Sequence, residues 1–252
     1  MARHEAFDGG EETRQRITFT IDGEKITAFA GQSILEAADA AGIYIPRLCD
    51  VEGLDPQGSC RVCTVKVNSR PVASCVHPVS ADDVVENDTE EIRRWRRDLI
   101  KMLLHEGNHL CPICEASGRC ELQAMAARFE TLEPDLYPYL QPVRPVDASH
   151  PDIMLDTNRC IRCGRCIRAS RDVDRKYVFG YIGRGIHKRV GVNATDLAHT
   201  RIDLDDAAAS LETCPVGCII RKRVGFFAPI GRRQFDLQAP GDEIEKRKGE
   251  GK

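Results

Sequence analysis

No apolar run in this 252-residue chain approaches the roughly 18 residues needed to span a bilayer. The N-terminal stretch MARHEAFDGGEETRQR also lacks the apolar core of a signal peptide, so a cytoplasmic location is expected. Neither sign of charge dominates, with Lys+Arg 36 against Asp+Glu 39, which speaks against a nucleic-acid partner. Motifs for nucleotide or substrate chemistry are missing too. GYIGRG (Gly180 to Gly185) is not G-x-G-x-x-G, and no helix pattern clearly follows it. P-loop, nucleophile elbow and HExxH are all absent. The expectation is a chain with no catalytic residue and no bound flavin or NAD.

Cysteine is what the chain has, twelve in all. In a reducing cytosol dense cysteines point to metal rather than to disulfides. Eleven of them and one histidine sort by spacing into three groups of four: Cys49, Cys60, Cys63 and Cys75; His109, Cys111, Cys114 and Cys120; Cys160, Cys163, Cys166 and Cys214. Three such sets predict one 2Fe–2S and two 4Fe–4S clusters, and hence an electron carrier. Nearly consecutive sets also predict small modules. A module of about 80 residues gains little from its own core and needs a staple, which the metal would provide.

The first module is expected over residues 14–90. Ile17, Phe19 and Ile21 alternate with Thr18 and Thr20, as in a half-buried strand. Asp22-Gly23 suits the turn of a hairpin returning through Lys25 to Ala28. Ser33 with Glu36 forms a capping box ahead of a helix ending at Gly42. A ligand loop follows, then a second hairpin, Thr64 to Val67 and Val72 to Cys75. This order resembles the β-grasp of plant-type 2Fe–2S ferredoxins. The spacing C-x10-C-x2-C-x11-C departs from their compact pattern, whose first gap is about four residues. Zinc is the competing ligand, but zinc ribbons pair one C-x2-C with another.

The second module is expected over 88–133. Asp88 and Glu91 look like a capping start, and Ile92, Trp95, Leu99, Met102 and Leu103 share one helical face. Arg93, Arg94, Arg96 and Arg97 fall mostly on the other faces and read as solvated. C-x2-C-x5-C supplies only three thiolates. His109, in a Gly-rich turn two residues before Cys111, is favoured over His105 as the fourth ligand. Exchanging a thiolate for neutral imidazole removes one negative charge and should raise the potential.

Pro134, Pro138, Pro142, Pro145 and Pro151 mark a linker over 134–151. The third module, 152–225, opens with NRCIRCGRCIRAS. C-x2-C-x2-C leading into a helix, with the distant dipeptide Cys214-Pro215, is the bacterial-ferredoxin signature for 4Fe–4S. Cys218 could replace Cys214 but lacks the proline and reads as a small buried apolar residue. Arg159, Arg162, Arg165 and Arg168 recur every third residue, either facing the anionic cluster or pointing to solvent. Residues 226–252 form a tail. The fold class is thus α+β: a β-grasp 2Fe–2S domain, a small helical His/Cys3 module and a bacterial-ferredoxin-like 4Fe–4S module.

YIPRLC, GSCRVCTVKVN, EGNHLCP-x-CEASGRCELQ, CPVG and RVGFFAPIGRR resemble the small diaphorase subunits of soluble, bidirectional NAD-reducing nickel–iron hydrogenases, over nearly the whole chain. They are also similar to the N-terminal cluster region of the large iron–sulfur subunit of complex I, whose histidine spacing is H-x3-C rather than the H-x-C seen here. Iron-only hydrogenases and some NAD-dependent formate dehydrogenases share the same region. The closer resemblance implies a non-catalytic electron-transfer subunit. Its partners would be an FMN/NADH-binding diaphorase subunit and the hydrogenase small and large subunits, in an assembly converting H2 and NAD+ to NADH and a proton. A relay for a formate dehydrogenase or a complex I-like enzyme, a free-standing electron carrier and a zinc-stapled interaction module are the competing readings.

Overall fold

The computed structural model describes residues 15–131, 143–202, 208–226 and 228–250. The chain forms two compact units, residues 1–99 with 239–252 and residues 100–238.

In the first unit, β1 (Arg16–Ile21) and β2 (Glu24–Phe29) pair antiparallel from Ile21↔Glu24 to Arg16↔Phe29. Asp22 and Gly23, at φ 49° and 82°, make the turn between them, a conformation that Asp tolerates and Gly adopts freely. Ser33 caps α1 (Ile34–Ala40). Its Oγ accepts from the Glu36 amide at 3.2 Å, and its own amide donates to Glu36 Oε2 at 2.8 Å. Next come β3 (Thr64–Val67), β4 (Arg70–Ala73) and β5 (Val84–Glu86), in a sheet ordered β2-β1-β5-β3-β4 with β1 and β5 parallel. Hairpin, helix and mixed sheet together form a β-grasp. Phe19, Ile21, Ile34, Leu35, Ile45, Val65 and Val85 fill its core, and Cys63 and Cys75 belong to the same cluster.

Four expectations shift. The strand expected to run to Cys75 ends at Ala73, so Cys75 sits in the turn beyond it. The helix expected to start at Asp88 is α2 (Glu90–His105), and the Thr89 hydroxyl caps it by accepting from the Ile92 amide, while Asp88 pairs with Arg93. Arg96 lies on the buried stripe of α2 with Ile92 and Ile100, not on a solvated face. It donates to the Thr64 carbonyl and to Asn87 Oδ1, and burial lowers its pKa to about 10. Met102, expected on the apolar face, is exposed.

The division between the units falls within α2. In the second unit, α3 (Glu121–Arg128) precedes β6 (Val146–Asp147) and β7 (Ile153–Asp156). Residues 134–142 of the expected linker lie outside the described residues. α4 (Arg165–Arg168) continues as a π turn to Val173, and β8 (Phe179–Ile182) and β9 (Arg189–Val192) form a hairpin. GYIGRG is therefore one strand of that hairpin and its tip. α5 (Ala208–Glu212) leads to β10 (Ile219–Arg221), which pairs antiparallel with β7 through Ile219↔Leu155. α6 (Gln234–Leu237) follows in this unit; α7 (Asp242–Glu250) belongs to the first, where Gly241 at φ 95° packs on the Tyr44 ring.

Ser33→Ala removes the α1 cap at a cost of about 1 kcal/mol. The expected result is a lower thermal midpoint for the first unit by far-UV circular dichroism; an unchanged midpoint would show that tertiary packing alone holds the helix start.

Candidate iron–sulfur ligand sites

The first group converges. Cys49 lies in the loop after α1, Cys60 and Cys63 in the loop before β3, and Cys75 two residues past β4. The β3–β4 pairing carries the last two together, with Sγ atoms 3.4 Å apart, and Ser74 Oγ donates to the Cys63 carbonyl. Cys49 shares side-chain hydrogen bonds with Cys60 and Cys75, which hold its pKa far below the thiol range. Cys63 falls to about 7, chiefly through Cys75. Cys60 and Cys75, the donors, are raised.

In the second group Cys111, Cys114 and Cys120 lie near one another between α2 and α3, while His109 meets Leu103, Arg159 and Asp156. Cys120 caps α3, its Sγ accepting from the Gln123 amide at 3.5 Å. Burial pushes its pKa up to about 12, and the nearby Cys111 and Cys114 add to the rise. The two histidines differ. His105 Nδ1 bonds the Lys101 carbonyl of its own helix. The His109 ring bonds the Leu103 carbonyl, while its Nε2 is buried with no hydrogen-bond partner. Burial first, then Arg159, lowers the His109 pKa to about 4, which keeps the ring neutral as a ligand must be. A carbonyl on one ring nitrogen and a free second nitrogen is the usual arrangement of a metal-binding histidine. Gly107 makes room for it, since a Cβ there would lie 2.6 Å from Nε2.

The third group is assembled by β7 and β10. The Asp156 amide donates to the Cys218 carbonyl at 2.8 Å, which sets the Cys214–Cys218 turn beside Cys160. Gly164 at φ 71° starts α4, and Cys166 stands in its first turn. Burial raises Cys163 to about 12, and Cys214 falls to about 6 through a hydrogen bond from Cys218. Cys218 is buried as expected, but its thiol also bonds Cys160 and Cys214. The structure thus places a fifth thiol in this group that spacing alone read as inert.

These donors suit a multi-iron group. Buried thiols driven up to about 12 stay protonated unless a cation compensates them, and iron does so directly. Among the described residues no three His, Cys, Asp or Glu side chains surround a single ion position. Thiolates of a cluster bind different irons and need not share one centre.

The arginines of the third motif neither simply face their own cluster nor point to solvent. Arg159 pairs with Glu115, Arg162 with Glu106 and Arg165 with Glu121. Glu115 and Glu121 directly follow Cys114 and Cys120, so these pairs tie the second ligand segment to the third. Arg165 is buried and bidentate, its second contact at 2.8 Å. The Glu121 amide also donates to the Pro215 carbonyl at 2.8 Å. Spacing missed these links; alternating Arg and Glu beside ligand cysteines was the available signal.

Residues 14–90 match the family described as 2Fe-2S iron-sulfur cluster binding domain. Residues 96–134 match the NADH-ubiquinone oxidoreductase-G iron-sulfur binding region, and 150–220 the ferredoxin-like domain of NADH-quinone oxidoreductase subunit 3. All three descriptions name iron–sulfur or ferredoxin-type segments, which weighs against the zinc reading. The chain is similar to the NAD-reducing hydrogenase HoxS subunit gamma of Cupriavidus necator, 39% identical over 88% of this chain and 94% of that protein. It is 34% identical to the NADH-ubiquinone oxidoreductase 78 kDa subunit of Candida albicans over 84% of this chain but 29% of that protein. A chain in the crystal structure of an NAD+-reducing nickel–iron hydrogenase in the H2-reduced state superposes with a TM-score of 0.85 at 44% identity, covering 92% of this chain and 98% of that one.

Gly107→Ala is expected to push the His109 ring from its place, changing the second cluster's EPR signal while leaving the other two. His105→Ala should leave all three; the opposite result would move the ligand role to His105. Cys214→Ala is expected to remove about four irons per chain, one 4Fe–4S complement, and Cys218→Ala none. Iron loss in Cys218→Ala alone would make Cys218 the ligand.

Proposed function

This chain belongs to the family of iron–sulfur gamma subunits of NAD-reducing hydrogenases, and on that premise we propose that it relays electrons between a flavin-bearing, NADH-binding partner and the nickel–iron subunits. The observation that supports the reading is that thiols separated in sequence lie close together: Cys49 with Cys60 and Cys75, Cys120 with Cys111 and Cys114, and Cys163 with Cys160 and Cys214. Bound clusters supply one-electron carriers; the protein supplies the ligands, the dry surroundings and the fixed charges. Cys49, Cys60, Cys63 and Cys75 hold the 2Fe–2S group. His109, Cys111, Cys114 and Cys120 hold one 4Fe–4S group, and Cys160, Cys163, Cys166 and Cys214 hold the other. Oxidising H2 releases two electrons and two protons, and NAD+ takes up both electrons with one proton, so a one-electron relay must carry each electron in turn. No residue here is assigned to bond making, and no helix among the described residues is long and apolar enough to cross a membrane. The complex I relatives share this cluster-bearing region within much longer chains.

The test uses the whole complex carrying Cys163→Ala. H2-dependent NAD+ reduction is expected to vanish, while NADH-dependent and H2-dependent dye reduction persist on their separate subunits. Surviving H2-dependent NAD+ reduction in a complex shown to lack the third cluster would place that cluster off the path. The unsubstituted chain should carry about ten irons, the sum for one 2Fe–2S and two 4Fe–4S clusters; abundant zinc in their place would overturn the reading.

A further inference from the structure

Arg159 lies one residue before Cys160, the first thiolate of the third group, yet its guanidinium reaches the second. Its Nη1 is 3.6 Å from Cys114 Sγ and 3.0 Å from Glu115 Oε2, and its Nε is 3.0 Å from Asp156 Oδ2. Cys160 Sγ instead receives the Arg162 backbone amide, at 3.3 Å. The turn that closes the third group holds Arg159 in place, because the Gly217 carbonyl accepts from Nη1 at 3.5 Å. Gly217 also lies against the sulfur, where an added Cβ would sit 2.6 Å from Cys114 Sγ and 3.4 Å from Nη1. Only a residue without a side chain lets this turn close over the pair.

We propose that Arg159, although part of the third ligand motif, sets the reduction potential of the cluster held by the second. This rests on the assignment of Cys114 as a ligand. An N–H donor on a ligand thiolate draws electron density from the sulfur, and a fixed positive charge favours the cluster state holding one more electron. The Arg159 side chain is 17% exposed, so water screens this charge only in part. Glu115 opposes it by placing a carboxylate beside the same guanidinium. The pair therefore acts as two opposed settings on one cluster, both borne by residues next to ligand cysteines. A bracing role alone would make no such distinction of sign.

The experiment is an EPR-monitored redox titration of the purified complex. Arg159→Gln is expected to shift the second cluster's midpoint to more negative values, and Glu115→Gln to more positive values, with iron content unchanged. Shifts of the same sign, or none in either variant, would overturn the proposal and leave Arg159 a brace. Should Arg159→Gln fail to load the second cluster, Glu115→Gln decides alone: a positive shift supports the proposal, and an unchanged or more negative midpoint overturns it. Absence of the second cluster from the unsubstituted protein would overturn the ligand assignment of Cys114, a failure distinct from that of Arg159.

Discussion

Taking a thiolate out of water costs several kcal/mol unless a positive charge accompanies it. In this chain Cys49, Cys63 and Cys75 are fully buried, and Cys120, Cys163 and Cys166 nearly so. Without a cation, burial drives Cys120 and Cys163 up to about 12 and Cys166 well above the thiol range. Iron at these thiols would turn that penalty into a set of bonds, beside a core that in the second unit includes Leu122, Ile153, Leu197 and Ile219. The elements around the thiols there are short: α3 has eight residues, α4 four and β10 three.

In the β-grasp of the first unit, the five-stranded sheet and α1 bury Phe19, Ile21, Ile34, Leu35 and Ile45 against one another, so it has a core of its own. Of its four candidate ligands, Cys63 and Cys75 pack within that core. These two thiols therefore belong to both the candidate site and the fold.

In the second unit the segments carrying the second and third cysteine groups are interlocked rather than adjoining. Arg159–Glu115, Arg162–Glu106 and Arg165–Glu121 cross from one ligand segment to the other, and the Glu121 amide bonds the Pro215 carbonyl beside Cys214. Exposed ion pairs contribute little to stability, but Arg165 is buried and its pairing with Glu121 avoids an uncompensated charge. These contacts tie the two cysteine-bearing segments together. They also bring the Arg159 guanidinium beside Cys114 Sγ. This arrangement belongs to a segment that matches families named for NADH oxidoreductases.

Local chemistry was legible in the sequence. C-x2-C-x2-C brings three thiols together within one loop, Asp22-Gly23 turns a hairpin, and Ser33 with Glu36 starts a helix, because each depends on residues a few positions apart. The α+β class follows from such short-range patterns. Tertiary structure decided what depends on distant partners. Arg159 meets Cys114 across 45 residues, and Arg96 meets Thr64 across 32. Cys218 joins Cys160 because β10 pairs with β7 in one register. β5 escaped notice because three residues offer no alternation to count, and it exists only through its pairing with β1 and β3. Residue spacing specifies which atoms can share a turn; strand register and burial determine which charges end up beside which sulfur.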